Sequence, residues 1–168
     1  MLPAIAAVTE RIRIGPLVSP TSIHHPAVLA NRAATIDHIS NGRMVLGIGA
    51  GWQINEHHAY GIELQEPGPR VSRFEEAIQV IRSLLTDERT DFHGEFYELD
   101  RARMYPKPTQ AHLPIHIGGE SDAAMARARR APADAGRVPL RDADRTRSAI
   151  LAAATEEFSA HGLSGARV

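Results

Sequence analysis

Ile12-Arg13-Ile14-Gly15-Pro16-Leu17-Val18 and, one helix later, Arg43-Met44-Val45-Leu46-Gly47-Ile48-Gly49 decide the fold class. The first stretch reads as a short strand, and residues 19–25, polar and turn-forming, read as the loop that leaves it. Pro26 then stands where a helix favours proline, in the first turn. Leu29, Ala33, Ile36 and Ile39 recur at helical spacing. Asn41-Gly42 supplies the stop, because Gly42 can take the left-handed conformation that ends a helix. The second stretch is apolar enough to be a strand buried on both faces. Strand, helix, strand is the βαβ unit, with parallel strands joined by a right-handed crossover.

Further along, residues 50–70 carry Gly61, Pro67, Gly68 and Pro69 and read as a long irregular stretch. A loop of that length inside a compact domain is usually functional. Phe74, Ala77, Ile78, Ile81, Leu84 and Leu85 give an amphipathic helix, with Glu75 and Glu76 expected in its first turn, where the helix dipole favours negative charge. Residues 91–99 read as a small hairpin or excursion, and Pro106-Lys107-Pro108 as a rigid extended connector. Residues 113–117 read as a third core strand, ended by Gly118-Gly119. Ser121 is placed to cap a helix running to about Arg130. Past that point the periodicity stops. Residues 131–143 read as a linker, and 144–168 as a helix with Ile150, Leu151, Ala154 and Phe158 on its apolar stripe.

The 168 residues are 43% hydrophobic and carry a formal net charge of -1, so no general attraction to nucleic acid or anionic membrane is expected. Cysteine is absent, which excludes disulfides, thiolate metal sites and cysteine nucleophiles. No apolar run approaches the roughly 20 residues that span a bilayer, and residues 1–9 lack the basic start of a signal peptide. A cytoplasmic protein with no membrane partner is expected. The pairs His24-His25 and His57-His58, and His112 with His116, suggest a metal site only superficially. Adjacent histidines in a loop point apart, so no metal site is expected and the histidines read as loop or surface residues.

Two glycine motifs carry the chemistry. Gly47-Ile48-Gly49-Ala50-Gly51 closes a strand, and glycines there let backbone approach a neighbour closely. Taken alone, the motif fits a plain tight turn at least as well as a ligand site. Gly118-Gly119 with Ser121 offers backbone N–H groups at a helix start, which suit an anion such as a phosphate. Trp52 and Asn55 follow the first motif, as a wall against a flat ring and as a polar contact.

Read in order, these segments resemble the luciferase-like monooxygenase family, in particular its branch dependent on coenzyme F-420 (F420). The resemblance rests on Ile14-Gly15-Pro16-Leu17-Val18, on His25-Pro26-Ala27-Val28-Leu29-Ala30, and on the run from Ala34 through Arg43 into Leu46-Gly47-Ile48-Gly49-Ala50-Gly51-Trp52. It continues through Tyr60-Gly61, Phe92-His93-Gly94-Glu95-Phe96-Tyr97 and residues 114–119. It implies an α/β fold, a (β/α)8 TIM barrel of which this chain holds only middle strands, plus a C-terminal helix. Residues 1–130 would be the incomplete barrel domain. By the same resemblance Leu17 and Val18 lie where many members hold a non-prolyl cis peptide behind the cofactor ring. Gly49, Ala50 and Gly51 would line that cofactor, and Gly118, Gly119 and Ser121 would bind its phosphate or its approach. Trp52 and Asn55 fall near the reacting carbon, at positions where one branch carries an acid and an asparagine. Trp52 is no acid, so that branch's proton donor is missing here. Ala50 stands where flavin-using luciferases place an arginine, which favours F420 and hydride transfer to or from a small-molecule substrate. The alternative is an FMN-dependent monooxygenase.

Residues 145–163 resemble the first helix of TetR-family repressors, which gives a transcriptional regulator fragment as the rival reading. The recognition helix that would enter the major groove is not in the sequence, so no nucleic-acid partner is expected. A complete barrel needs eight strands. With three, the chain is expected to be an incomplete and inactive piece of such an enzyme, and its oligomeric state stays open.

Overall fold

A computed structural model describes residues 1–118. In chain order the elements are α1 (Leu2–Val8), β1 (Ser19–Pro20), α2 (Pro26–Ile39), β2 (Leu46–Gly49), α3 (Ile54–Tyr60), α4 (Pro67–Thr86), β3 (Thr90–His93), β4 (Glu98–Ala102) and β5 (Ile115–Ile117). The helix expected from Ser121, the linker over 131–143 and the helix over 144–168 lie outside the described residues.

A parallel sheet runs in the order β1-β2-β5, with Pro20 opposite Gly49, Leu46 opposite Ile115 and Ile48 opposite Ile117. Every residue of β2 is buried, as a central strand of a covered parallel sheet requires. The continuous strand expected over 12–18 is instead two short pieces. Ile14 bridges Met44 and exchanges backbone bonds with Arg43 and Val45. The chain then leaves the ladder, passes the cis Leu17-Val18 peptide and pairs again at Ser19. Pro16 has no N–H to give a ladder, so pairing survives only on either side of it. The loop expected from Ser19 accordingly begins with β1.

Helix α2 starts and stops where its sequence says. Pro26 occupies the first turn, the His25 ring accepts the Ala27 N–H at 3.2 Å, and Gly42 (φ +80°) donates to Asp37 O at 2.9 Å. Leu29, Ala30, Ala33, Ala34 and Ile36 are buried on it. They join one core with Met44, Leu46 and Ile48 of the sheet and with Phe74, Ala77, Ile78, Val80, Ile81, Leu84 and Leu85 of α4. Each large side chain so buried contributes about 1.5–3 kcal/mol.

The irregular stretch expected over 50–70 is largely helical. α3 occupies its middle and stops at Gly61, which is left-handed at φ +65°. Pro67, Gly68 and Pro69, which read as loop, form the first turn of α4, where missing N–H groups cost nothing because that turn has no partners for them. The earlier start moves Glu75 and Glu76 out of the first turn. The Glu76 carboxylate instead accepts the backbone N–H groups of Glu95 (2.8 Å), Phe96 (2.9 Å) and Tyr97 (3.2 Å). These donors sit in the turn of the β3–β4 hairpin, which is antiparallel as expected. A Cβ at Gly94 would run into that carboxylate.

Residues 1–9, assigned no structure from sequence, contain α1, which is tied down by Arg43. The guanidinium donates to Thr9 Oγ1 (2.9 Å), Ile12 O (3.0 Å), Ala6 O (2.8 Å), Thr9 O (2.6 Å) and Ser40 O (2.7 Å). Several of these carbonyls are the unpaired acceptors at a helix C-terminus. Arg43→Ala is expected to lower unfolding free energy by about 2–3 kcal/mol, the value of a charged hydrogen-bonding group with several partners. Arg43→Lys should restore less than half of it, because an ammonium cannot spread its donors across the same fork. Urea unfolding of the three proteins measures both. Equal stability of the lysine variant and the parent would show that charge alone matters.

At the amino ends of the strands Asp37, buried on α2, clasps the connector before β5. Its Oδ2 accepts Thr109 N–H (2.8 Å), Thr109 Oγ1 (2.7 Å) and Gln110 N–H (3.0 Å), and Oδ1 accepts Gln110 Nε2 (2.7 Å). Gln110 Nε2 also reaches Met44 O at 2.8 Å. Lys107 donates to the carbonyls of Leu84 and Asp87 at the end of α4. Among the described residues no helix is long and apolar enough to cross a membrane.

Candidate functional site

Ligands of parallel α/β sheets and barrels bind beyond the carboxyl ends of the strands, because successive strands deliver their loops to that one face. Here that face is formed where β1 ends at Pro20, β2 at Gly49 and β5 at Ile117. Val18, just before β1, meets Gly49 at the end of β2 and Gly118 just after β5, and Ala50 and Gly51 continue directly from β2; Leu17 precedes Val18.

Val18 is the centre of this cluster. A Cβ at Gly49 would lie 2.9 Å from Val18 Cγ2, and one at Gly118 would lie 2.7 Å from Val18 Cγ1. A Cβ at Gly47 would meet the Pro16 carbonyl oxygen and also approach Val18 Cγ1 to 3.2 Å. The close approach that these glycines permit is therefore first of all an approach by the protein itself. Gly51 is different: its φ of +88° and the neighbouring Ser22 hydroxyl both exclude a side chain.

The Gly118 N–H donates to Ile48 O at 2.9 Å and belongs to the sheet, so this one group is not a free donor for an anion. Gly119 and Ser121 lie outside the described residues. Leu17, ahead of β1, is 84% exposed, and Trp52, after β2, is 79% exposed. Asn55 is exposed in the first turn of α3. Among the described residues the groups with shifted pKa, Asp37 and Lys107, sit elsewhere: the aspartate clasps the opposite end of the strands and the lysine closes the end of α4.

Sequence reasoning missed a buried polar link beneath this rim. His57, assigned to the loop or surface histidines, is 1% exposed on α3. Its Nδ1 lies 2.8 Å from Gln53 O and its Nε2 2.9 Å from Ser22 Oγ. A carbonyl only accepts, so Nδ1 carries the proton. Beside it Thr21 donates to Gly49 O from its N–H (2.8 Å) and its hydroxyl (3.2 Å). The loops after β1 and β2 are thus joined at two points. The signal for this, a histidine four residues after Gln53, was present, but nothing local marks Ser22 as the partner. A serine–histidine pair is also the arrangement of an activated nucleophile. Here both side chains are buried, and Gly51 lies beside the hydroxyl, which argues against that role. Among the described residues no cluster of three or more His, Asp or Glu side chains is placed to hold a metal ion.

The sequence model of the luciferase-like monooxygenases matches residues 1–162. The chain belongs to this family. Within it, an F420-dependent glucose-6-phosphate dehydrogenase of Amycolatopsis mediterranei is 41% identical over 117 residues, covering 69% of this chain and 35% of that protein. Among solved structures the monooxygenase RslO1 from Streptomyces bottropensis superposes with a TM-score of 0.63 at 30% identity, over 69% of this chain and 35% of its own. An F420-dependent secondary alcohol dehydrogenase in complex with an F420-acetone adduct superposes with a TM-score of 0.62 at 29% identity, with the same coverage. The chain thus spans about a third of the length of these luciferase-like relatives. Its sheet with packed helices is a partial barrel of this kind, in agreement with the α/β class expected from the βαβ unit.

Proposed function

We propose that the face at the strand ends belongs to an F420-dependent oxidoreductase site, in which Leu17, Val18, Gly49, Ala50 and Gly51 stand against the cofactor ring. The observation that carries the reading is Ala50. It lies half-buried at the end of β2, beside Gly49 and Gly51, in a chain whose relatives include an F420-dependent dehydrogenase. The residues present fit such a group. Leu17, Val18, Ala50 and Trp52 offer an apolar surface without a charged side chain among them, which suits a flat tricyclic ring. When bound, F420 would supply the hydride acceptor or donor.

The chain's own residues would bind and orient. Trp52 would cover the ring and exclude water. Asn55, whose amide both donates and accepts, would hold a substrate oxygen through a hydrogen bond but cannot deliver a proton at neutral pH. Trp52 cannot either, so a proton donor would come from another segment. The phosphate tail would be held by Gly119 and Ser121, with Gly118 as the strand end that precedes them. The substrate would be a small molecule.

The test replaces the matching segment of the Amycolatopsis relative with residues 1–118 and titrates both cofactors by fluorescence. F420 should bind at least about tenfold more tightly than FMN, which is 1.4 kcal/mol. FMN binding as tight as F420 binding would favour the flavin alternative.

A further inference from the structure

We propose that His57 and Ser22 act as positioning residues for the segment carrying Trp52 and Asn55, by stitching the start of α3 to the turn after β1. The proposal rests on the reading of Trp52 and Asn55 as site residues. Three observations support it. His57 bridges two partners, Gln53 O at 2.8 Å and Ser22 Oγ at 2.9 Å, and these lie on different loops of the same face. The Ser22 hydroxyl occupies the space where Gly51 would carry a Cβ, so the bridge lies beside the backbone just before Trp52. Third, the link is buried while its dependents are not: His57 is 1% exposed and Trp52 79%. Exposed side chains have little packing of their own to fix them, so their placement comes from the backbone that bears them. That backbone is held from below by a histidine whose two ring nitrogens are both engaged. A buried hydrogen bond with both partners satisfied rigidifies, and losing one partner leaves the other unpaired.

The two ends act as one unit. Removing the serine hydroxyl frees Nε2, and removing the imidazole frees the hydroxyl, while the Gln53 carbonyl keeps only the His57 backbone N–H at 3.3 Å. The Thr21 bonds to Gly49 remain in either case, so the strand ends stay paired while the segment after Gly51 loosens.

The experiment uses the full 168-residue chain and the variants Ser22→Ala, His57→Phe and the pair together. Native-state hydrogen exchange compares peptides over 50–60 with peptides over 74–85 in α4. Trp52, the only tryptophan, reports the same segment by fluorescence anisotropy. Each single variant should speed exchange over 50–60 by about five- to tenfold, the factor one buried hydrogen bond is worth. Exchange over 74–85 should stay unchanged and Trp52 anisotropy should fall. The double variant should match His57→Phe alone, because there is one bridge to lose. Ser22→Ala is the milder change and keeps the test open if His57→Phe unfolds. Equal acceleration in both regions, or none in either, overturns the proposal. So does covalent labelling of Ser22 by a fluorophosphonate, which would make the pair an accessible nucleophile. None of these readouts needs a cofactor, so they separate failure of the stitch from failure of the F420 reading.

Discussion

Gly47→Ala is expected to destabilise the protein by about 3 kcal/mol, the upper end of what an inserted core methyl costs. The new Cβ would sit on the carbonyl oxygen of Pro16. A carbonyl held between two strand pieces cannot rotate away as a side chain can, so the strand must separate from its neighbour. Gly118→Ala gives the informative contrast. Its Cβ would meet Val18 Cγ1 at 2.7 Å and Cγ2 at 3.1 Å, but Val18 Cβ only at 3.5 Å. It should cost about 1–3 kcal/mol, and Val18→Ala in the same chain should recover most of that by removing the two methyl groups. Val18→Ala should not recover Gly47→Ala, where the obstacle is backbone. Urea unfolding of these variants gives the comparison. A Gly118→Ala protein as stable as the parent, or one that Val18→Ala fails to rescue, would remove Val18 as the reason for glycine on β2 and after β5.

Asp37→Ala should cost about 3 kcal/mol as well, by a different mechanism. It leaves the donors of Thr109 and Gln110 without their acceptor in a place where Asp37 itself has no exposed surface. Each donor stranded in this way costs about 1–3 kcal/mol, reduced where water can reach it. The same carboxylate gives a pH dependence. Burial by itself would raise its pKa. The hydrogen bonds from the Gln110 backbone, the Thr109 hydroxyl, the Gln110 amide and the Thr109 backbone together outweigh burial and hold it below the ordinary carboxylate value. The folded protein then releases this proton more readily than the unfolded chain does. The stabilisation is complete above the unfolded value of about 4 and is lost as pH falls through the lower folded value. Asp37→Asn should be less stable than the parent at pH 7, and the gap should narrow below about pH 4. Urea midpoints of the two proteins across that range measure it. A gap that stays constant or widens in acid would mean that the carboxylate charge is not what holds residues 109 and 110.

The effects meet at opposite ends of one strand. β2 is gripped at its start by Gln110, which bonds Met44 O and Asp37 together, and at its end by the packing of Val18 against Gly49 and Gly118. The first grip sets where β5 enters the sheet. The second shapes the face on which the proposed cofactor site lies.

The sequence by itself determined the elements whose signals are local. Pro26 and Asn41-Gly42 bracket α2 because a proline first turn and a left-handed stop act within a few residues. β2 was legible as an unbroken apolar run, and residues 91–99 as a small hairpin or excursion, which the structure resolves into β3 and β4. Pro67-Gly68-Pro69 misled for a local reason too: the same residues serve a loop and a helix's first turn, and only the packing of α4 chooses between them. Tertiary structure alone decided which polar side chains hold the fold and the site. Asp37 finds Thr109 and Gln110, Arg43 finds the end of α1, Glu76 finds the hairpin turn, and His57 finds Ser22. A hydrogen bond needs its partner within about 3 Å, and only the assembled sheet and helices bring such distant residues that close. The glycines show both sides. Their presence at strand ends was plain in the sequence, but what they make room for, the Val18 side chain and the Pro16 carbonyl, became visible only when β1, β2 and β5 lay side by side.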